Sequence, residues 1–432
     1  MYFPALRHRN FAVLLLGVLI SNVGTSMQLT AQNWLVYKMT GDDPVFLGWL
    51  GLCSAISAII GTPLGGVLAD RVDRLRLIYA MQVVGAVLAT TLTILVWSGV
   101  ADPHQILAIH LLTSLAFSID SGVRQVLMPE LVPREALQSA MSLGPLSFML
   151  PVLVGPAIAG LMIDPIGPGG VFLINAVSYA AVVVALRALR GVPPQAPASV
   201  PAHIALLDGI RYGLKEPWVR GLLVATFLAA FFARSYPQMV PVFANAFGAG
   251  PRGYGWIMAC VGAGSLVGSL VVGSLREVPW KGRAMIVGGL VQCTAVALFA
   301  RCGGLAQAMS FLFFAGIAVA VFNAMIGTMI QLYVPATLRG RITAFYYALF
   351  TGIPLLGSFG LVILAKALRE GSQVTVAAPL RAGLAWAEIG ANLGESNGVA
   401  RAIWVGAIVV GIALLVVAPR YWRERTMMGR AA

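Results

Sequence analysis

The sequence predicts an all-α membrane protein, with twelve transmembrane helices in two pseudo-symmetric six-helix bundles. Three observations predict it. The 432 residues are 59 % hydrophobic and only 10 % charged, with a mean hydropathy of +0.87, too little polar surface for a water-soluble domain. Apolar runs of the length lipid demands, about 20 residues, come as six, a polar interval, then six more. The two sets also repeat each other.

The first six runs lie near 11–37, 45–68, 76–99, 105–124, 139–163 and 171–188. The second six lie near 219–245, 254–275, 284–301, 305–330, 341–366 and 401–419. Pro145, Pro151, Pro156, Pro237, Pro241 and Pro354 fall inside them, which membrane helices tolerate better than soluble ones. Arg7 and Arg9 before the first run imitate a signal peptide, but no small-residue cleavage site follows, so the run reads as a retained helix. The interval 189–217 holds "GVPPQAPASVPAH", a Pro- and Ala-rich linker, then "IALLDGIRYGLKEP", which reads as a short amphipathic helix at the cytoplasmic face. The expected domains are therefore 1–188, a linker at 189–217, and 218–432.

Charge sets the orientation. Of 29 Lys and Arg residues, 21 fall in connections on the N-terminal side, 7 on the other, and Arg234 inside a helix. The positive-inside bias places both termini in the cytoplasm. The net charge of +13 is thus a matter of topology and of contact with anionic lipid headgroups, not of nucleic acid. Cys53, Cys260, Cys293 and Cys302 have no CxxC spacing and read as small buried apolar residues, without metal or disulfide.

The repeat is legible by eye. "LGWLGLCSAISAIIGTPLGGVLAD" from Leu47 matches "YGWIMACVGAGSLVGSLVVGSLRE" from Tyr254, pairing Gly48 with Gly255, Trp49 with Trp256, Cys53 with Cys260, Gly61 with Gly268 and Gly66 with Gly273. Asp70 then falls opposite Glu277, and "MPELVPREAL" at 128–137 opposite "VPATLRGRIT" at 334–343. Two parallel six-helix repeats are a transporter architecture.

The densest charge sits in "GGVLADRVDRLRL", where Asp70, Arg71, Asp73, Arg74 and Arg76 follow a long apolar run. This stretch resembles the loop signature of the major facilitator superfamily, with Gly66, Asp70, Arg71 and Arg74 at its key positions and Asp73 where many members have Gly. "GPLSFMLPVLVGPAIAGLMI" resembles the Gly-Pro signature of the antiporter branch through Gly155, Pro156 and Gly160. "SNVGTSMQLTAQNWLVYKMTGD", "FLINAVSYA", "LLDGIRYGLKEPWVRGLL" and "VPATLRGRI" are similar to the enterobactin-exporter-like efflux subgroup. Thr25 stands where several of its members have an acid, and Val152 near where they have an arginine.

The resemblance implies the superfamily fold and a cytoplasmic latch. In it Asp70 faces the start of helix 11, around Gly340 and Arg341, where helix amides favour a carboxylate. Arg74 pairs with an acid near the inner end of helix 4, for which Asp120 is the match, and Asp120 shares a face with Arg124 four residues on. The other reading of the arginines is a loop that only fixes topology.

Asn22, Gln28, Gln32 and Asn323 are candidate cavity residues, although single amides in apolar helices usually bond to a neighbouring helix. Arg234 reads either as a contact for an anionic substrate group or as a cation snorkelling outward beside Tyr236. Asp120 and His110 are the candidate proton-coupling groups. No HExxH, GxSxG or phosphate loop is present, so an enzyme is not expected. The resemblance implies a cofactor-free, monomeric exporter of small amphipathic molecules, drug-like or siderophore-like, in the bacterial inner membrane and driven by protons. An importer of the same fold is the nearest alternative.

Overall fold

The computed structural model describes residues 3–144, 146–190, 211, 213, 215–274, 280–370 and 396–422. Most of the linker helix expected before Pro217 lies outside the described residues, as do Glu277 and the side chains of Asp70, Gly340 and Arg341. Among the described residues, eleven helical stretches are long and apolar enough to cross a membrane. One of them, Arg134–Ala188, contains two crossings, which restores the twelve of the superfamily fold.

The first crossings are α1 (Arg9–Met39), α2 (Val45–Arg71), α3 (Arg74–Trp97) and α4 (Pro103–Glu130). A short helix, Leu137–Leu143, precedes the continuous stretch Leu146–Ala188. That stretch reverses at Gly167, where φ is 71° and ψ is 169°, a conformation side-chain-bearing residues avoid. We number its two limbs α5 (146–166) and α6 (168–188). The second set is α7 (Pro217–Ala246), α8 (Gly250–Ser274), α9 (Lys281–Phe299), α10 (Leu305–Tyr333), α11 (Ala336–Glu370) and α12 (Ser396–Trp422).

Polar residues mark where helices begin. Asp73 accepts the backbone N–H of Arg76 at 2.8 Å and caps α3. Asp102 and Gln105 form a capping box on α4. The N–H of His104, aimed at Asp102 from 2.8 Å, holds that exposed carboxyl below the usual carboxylate range. In the connection between α9 and α10, burial pushes the Cys302 thiol up to about 11, an inert group.

The chain divides into two compact units. Unit 1 comprises Met1–Ala202 with Pro251–Ala259, and unit 2 comprises His203–Gly250 with Cys260–Ala432. In unit 1, α1 packs along α5 and α6, and α2 along α4. These contacts need small residues. A Cβ on Gly155 would sit 2.6 Å from that of Ser26 on α1, and one on Gly61 2.7 Å from that of Ser118 on α4. In unit 2, α9 packs against α10 and α12, and α11 against α12. Gly268, the repeat counterpart of Gly61, approaches the Ile317 carbonyl on α10, where a Cβ would sit 2.6 Å away. The same joint, second helix on fourth, is therefore built with the same glycine in both repeats.

Helix α7 is broken. It runs as α-helix to Leu228, passes through a π turn at Ala229–Ala233, and resumes through a 3₁₀ turn at Tyr236–Met239. Pro237 and Pro241 offer no N–H to continue the ladder. The Ser235 hydroxyl donates to the Phe231 and Ala230 carbonyls, re-satisfying groups the break leaves open.

Candidate functional site

Unit 1 buries a compact charged cluster. Asp120 and Arg124, four residues apart on α4, form an ion pair whose side chains are only 3 % and 4 % exposed. Gln82 on α3 donates to Asp120 Oδ2 at 2.9 Å. The cluster borders a small cleft lined also by Asn22, Thr25 and Tyr179. Among the described residues, Asp120 Oδ1, Gln82 Oε1 and Arg124 Nε and Nη1 have no hydrogen-bond partner. Buried donors and acceptors left open around a polar cleft call for water or a bound polar group. The room for Tyr179 comes from Gly85, where a Cβ would meet its ring at 2.7 Å.

His110 lies buried elsewhere on α4. Ser54 Oγ is 2.7 Å from its Nε2, and Gln32 Oε1 is 3.4 Å from its Nδ1. An amide oxygen only accepts, so Nδ1 carries a proton, and Nε2 is partnered by the Ser54 hydroxyl: both ring nitrogens are satisfied within unit 1. Gln32 also donates to the Ile106 carbonyl at 3.4 Å, and Gln28 accepts from Asn175 on α6 at 2.7 Å. These two amides face helices of their own unit. Asn22 donates to the Ser147 carbonyl at 2.7 Å and also borders the cleft.

One expected pair is corrected. Arg74 does not reach Asp120. It pairs with Glu130, the last residue of α4, and donates from Nε to the Ala69 carbonyl at 3.1 Å. Asp120 lies almost three turns deeper and already has Arg124 beside it. Gly66 has open space around its Cα, and its neighbour Gly65 makes the close approach to Ile119.

Helix 5's signature residues face two ways. Gly155 lies against α1, and Gly160 against the start of α8, where a Cβ would sit 3.0 Å from the Gly255 Cα. Nearby, Asp164 pairs with Arg252 at 2.8 Å.

In unit 2, Arg234 sits at the break of α7. Its Cζ lies 3.7 Å from the centroid of the Phe350 ring on α11, and its Nη1 donates to the Phe350 carbonyl at 3.0 Å. Tyr346, one turn earlier on α11, packs its ring against Phe350 at 6.0 Å and donates to Asn323 Oδ1 at 3.0 Å. Two residues singled out from sequence, Arg234 and Asn323, thus meet opposite ends of one aromatic pair. The guanidinium is thus held by the ring and the backbone of one residue of α11.

The profile of the transmembrane secretion effector family matches residues 2–409. The chain belongs to that family. It is a membrane transporter of the major facilitator type. The chain is 26 % identical over 379 residues to the enterobactin exporter of Shigella boydii, covering 84 % of this chain and 86 % of the relative. It is 24 % identical to the staphyloferrin A transporter of Staphylococcus aureus over 264 residues, covering 60 % and 64 %. A further relative, an uncharacterized MFS-type transporter of Sinorhizobium fredii, is 27 % identical, with 61 % of this chain and 66 % of the relative's length covered. Among solved structures, a bacterial homologue of the human lysosomal transporter Spinster superposes with a TM-score of 0.72 at 13 % identity, covering 100 % and 99 %. The nucleoside transporter NupG superposes at 0.66 with 15 % identity, covering 94 % and 98 %. At such identities the superpositions speak for the fold. These relatives and neighbours are transporters, not enzymes.

Within this secretion effector, sequence reading missed Gln82, Tyr179, Glu130, Tyr346 and Phe350. Gln82 carried the signal used elsewhere, an amide in an apolar helix. The aromatic residues carried none, because a tyrosine in a membrane helix looks like packing until its neighbours are known.

Proposed function

We propose that this secretion effector exports small amphipathic molecules by alternating access, driven by inward proton flow. It acts from the bacterial inner membrane, as a monomer, with both termini in the cytoplasm. The observation that carries the coupling is the Asp120–Arg124–Gln82 cluster with its open atoms at the cleft. Similarity to an enterobactin exporter over most of the chain supports the outward direction, as does the Gly155-Pro156 signature.

Asp120 is the proton acceptor in this reading. The groups facing it are Arg124 on its own helix, Gln82 on α3 and Tyr179 on α6. A proton delivered to Oδ1 turns an ion pair into a neutral acid beside a cation. Arg124 then loses its fixed partner and its N–H groups can turn to the cleft. Releasing that proton to the cytoplasm restores the pair. The cycle moves one proton without leaving a lone buried carboxylate at either step. The charged segment from the inner end of α2 to the start of α3, Gly66 to Arg74 with Asp70 and Arg71, is the proposed gate of the conformational step, with Gly340 and Arg341 its proposed counterpart.

Everted membrane vesicles test both halves of this reading. A panel of dyes, antibiotics and catecholate siderophores is followed with and without a protonophore. Protonophore-sensitive accumulation is expected, together with loss of uphill accumulation but retention of downhill exchange in Asp120→Asn. Uphill accumulation that survives the protonophore would overturn the coupling. Absence of accumulation by folded protein, with uptake by right-side-out vesicles instead, would overturn the direction.

A further inference from the structure

Unit 2 has an electrostatic imbalance that unit 1 lacks. None of the membrane-crossing stretches from Pro217 onward contains an Asp or Glu. The acids of this half, Glu277, Glu370, Glu388, Glu395 and Glu424, fall between or beyond those stretches. The basic residues inside those stretches lie within four positions of an end, with one exception. Arg234 is the eighteenth of 30 residues in Pro217–Ala246. A cation at that depth is expensive and persists where something pairs with it.

The surroundings supply orientation without neutralisation. The Phe350 ring and carbonyl hold the guanidinium and satisfy one of its five N–H groups. Arg234 makes no ion pair among the described residues, and it is only half-buried, so its remaining N–H edge is not sealed. Beside it the half-buried Phe350 ring packs against the buried Tyr346, whose hydroxyl donates to Asn323.

We infer that Arg234 is an anion-recognition residue, and that the molecules this protein carries combine an anionic oxygen group with a flat apolar body. A carboxylate or a paired catecholate oxygen takes the two-pronged edge of the guanidinium. The body lies against the edge of Phe350. This inference deepens the transport reading above and rests on it. A neutral substrate would leave the cation uncompensated throughout the cycle.

The test uses the full-length chain in nanodiscs of zwitterionic phosphatidylcholine. Binding of 1-pyrenebutyrate is compared with that of 1-pyrenebutanol, which has the same aromatic body without the charge. Wild type should prefer the carboxylate by about tenfold or more, the scale of a charge-assisted hydrogen bond made or lost. Arg234→Gln should erase the preference for the carboxylate over the alcohol, and Arg234→Lys should retain part of it. Equal affinity of wild type for the two probes would overturn the inference, even if neither variant folds. So would an unchanged preference in folded Arg234→Gln. A preference abolished by adding phosphatidylglycerol to the disc would assign the anion to a lipid headgroup and overturn it as well. Everted vesicles separate the two readings. Anion preference without outward transport removes the export reading alone, and export of neutral and anionic probes alike removes this one alone.

Discussion

Each unit holds an arginine deep in a helix, and the two are treated in opposite ways. Arg124 comes with its own acid four residues earlier on α4, sealed from solvent and bonded through Gln82 to α3. Arg234 comes with an aromatic ring, a carbonyl and no acid in any crossing of its half. The buried arginine of unit 1 is balanced within its own helix. That of unit 2 has no counter-charge inside the membrane-crossing stretches of its half. In the proposed reading, two repeats that share a glycine at Gly61 and Gly268 divide coupling from recognition.

The largest effect should come from breaking the neutral pair. Asp120→Asn strands Arg124, and Arg124→Gln strands Asp120, each costing about 3–5 kcal/mol by the usual penalty for an uncompensated buried charge. Asp120→Asn combined with Arg124→Gln should cost clearly less than the sum of the two, as read by thermal unfolding in one detergent. Additive losses would mean the two side chains do not depend on each other.

Next in size is Gly160→Leu. Its side chain meets the Pro251 carbonyl and the Gly255 Cα, so overpacking should cost about 1–3 kcal/mol and slow transport more than it lowers expression. Undisturbed stability and flux would show that α5 and α8 can separate at no cost.

A smaller effect is expected at the corrected pair. Glu130→Gln leaves Arg74 with the Ala69 carbonyl, and because Glu130 is 37 % exposed the loss should be under about 1 kcal/mol. A loss as large as that of Asp120→Asn would mean that this pair carries the fold at the inner end of α4.

The smallest is at Asp102. Its carboxyl titrates below the ordinary carboxylate range, so the folded state favours the ionised form. The stability this contributes is present above the ordinary range and is lost as pH falls through the lowered folded value. Asp102→Asn should flatten a shallow acid-side decline in melting temperature and leave neutral-pH transport unchanged.

How much of this was legible follows physical lines. The crossings were, because lipid demands long apolar runs and the chain supplies them, and only ends moved: α1 begins at Arg9 and α11 at Ala336. The Asp120–Arg124 pair was legible because helical spacing is local. Arg74 was assigned the wrong acid because a long side chain can reach either end of α4, and sequence spacing does not say how deep each acid sits. Asp73 stood out only as a departure from a family pattern, whereas its position before α3 makes it a helix cap. The ring platform under Arg234 was invisible, since it depends on which turn of α11 meets the break in α7.

The most direct measurement of the central contrast is thermal unfolding of wild type, Arg124→Gln and Arg234→Gln, each with and without 1-pyrenebutyrate. Arg124→Gln should melt well below wild type and still be stabilised by the anion. Arg234→Gln should melt at or above wild type and gain nothing from the anion, because the charge it loses had no internal partner. Arg234→Gln that falls as far as Arg124→Gln, or that is stabilised by the anion as wild type is, would contradict the division of roles between the two arginines.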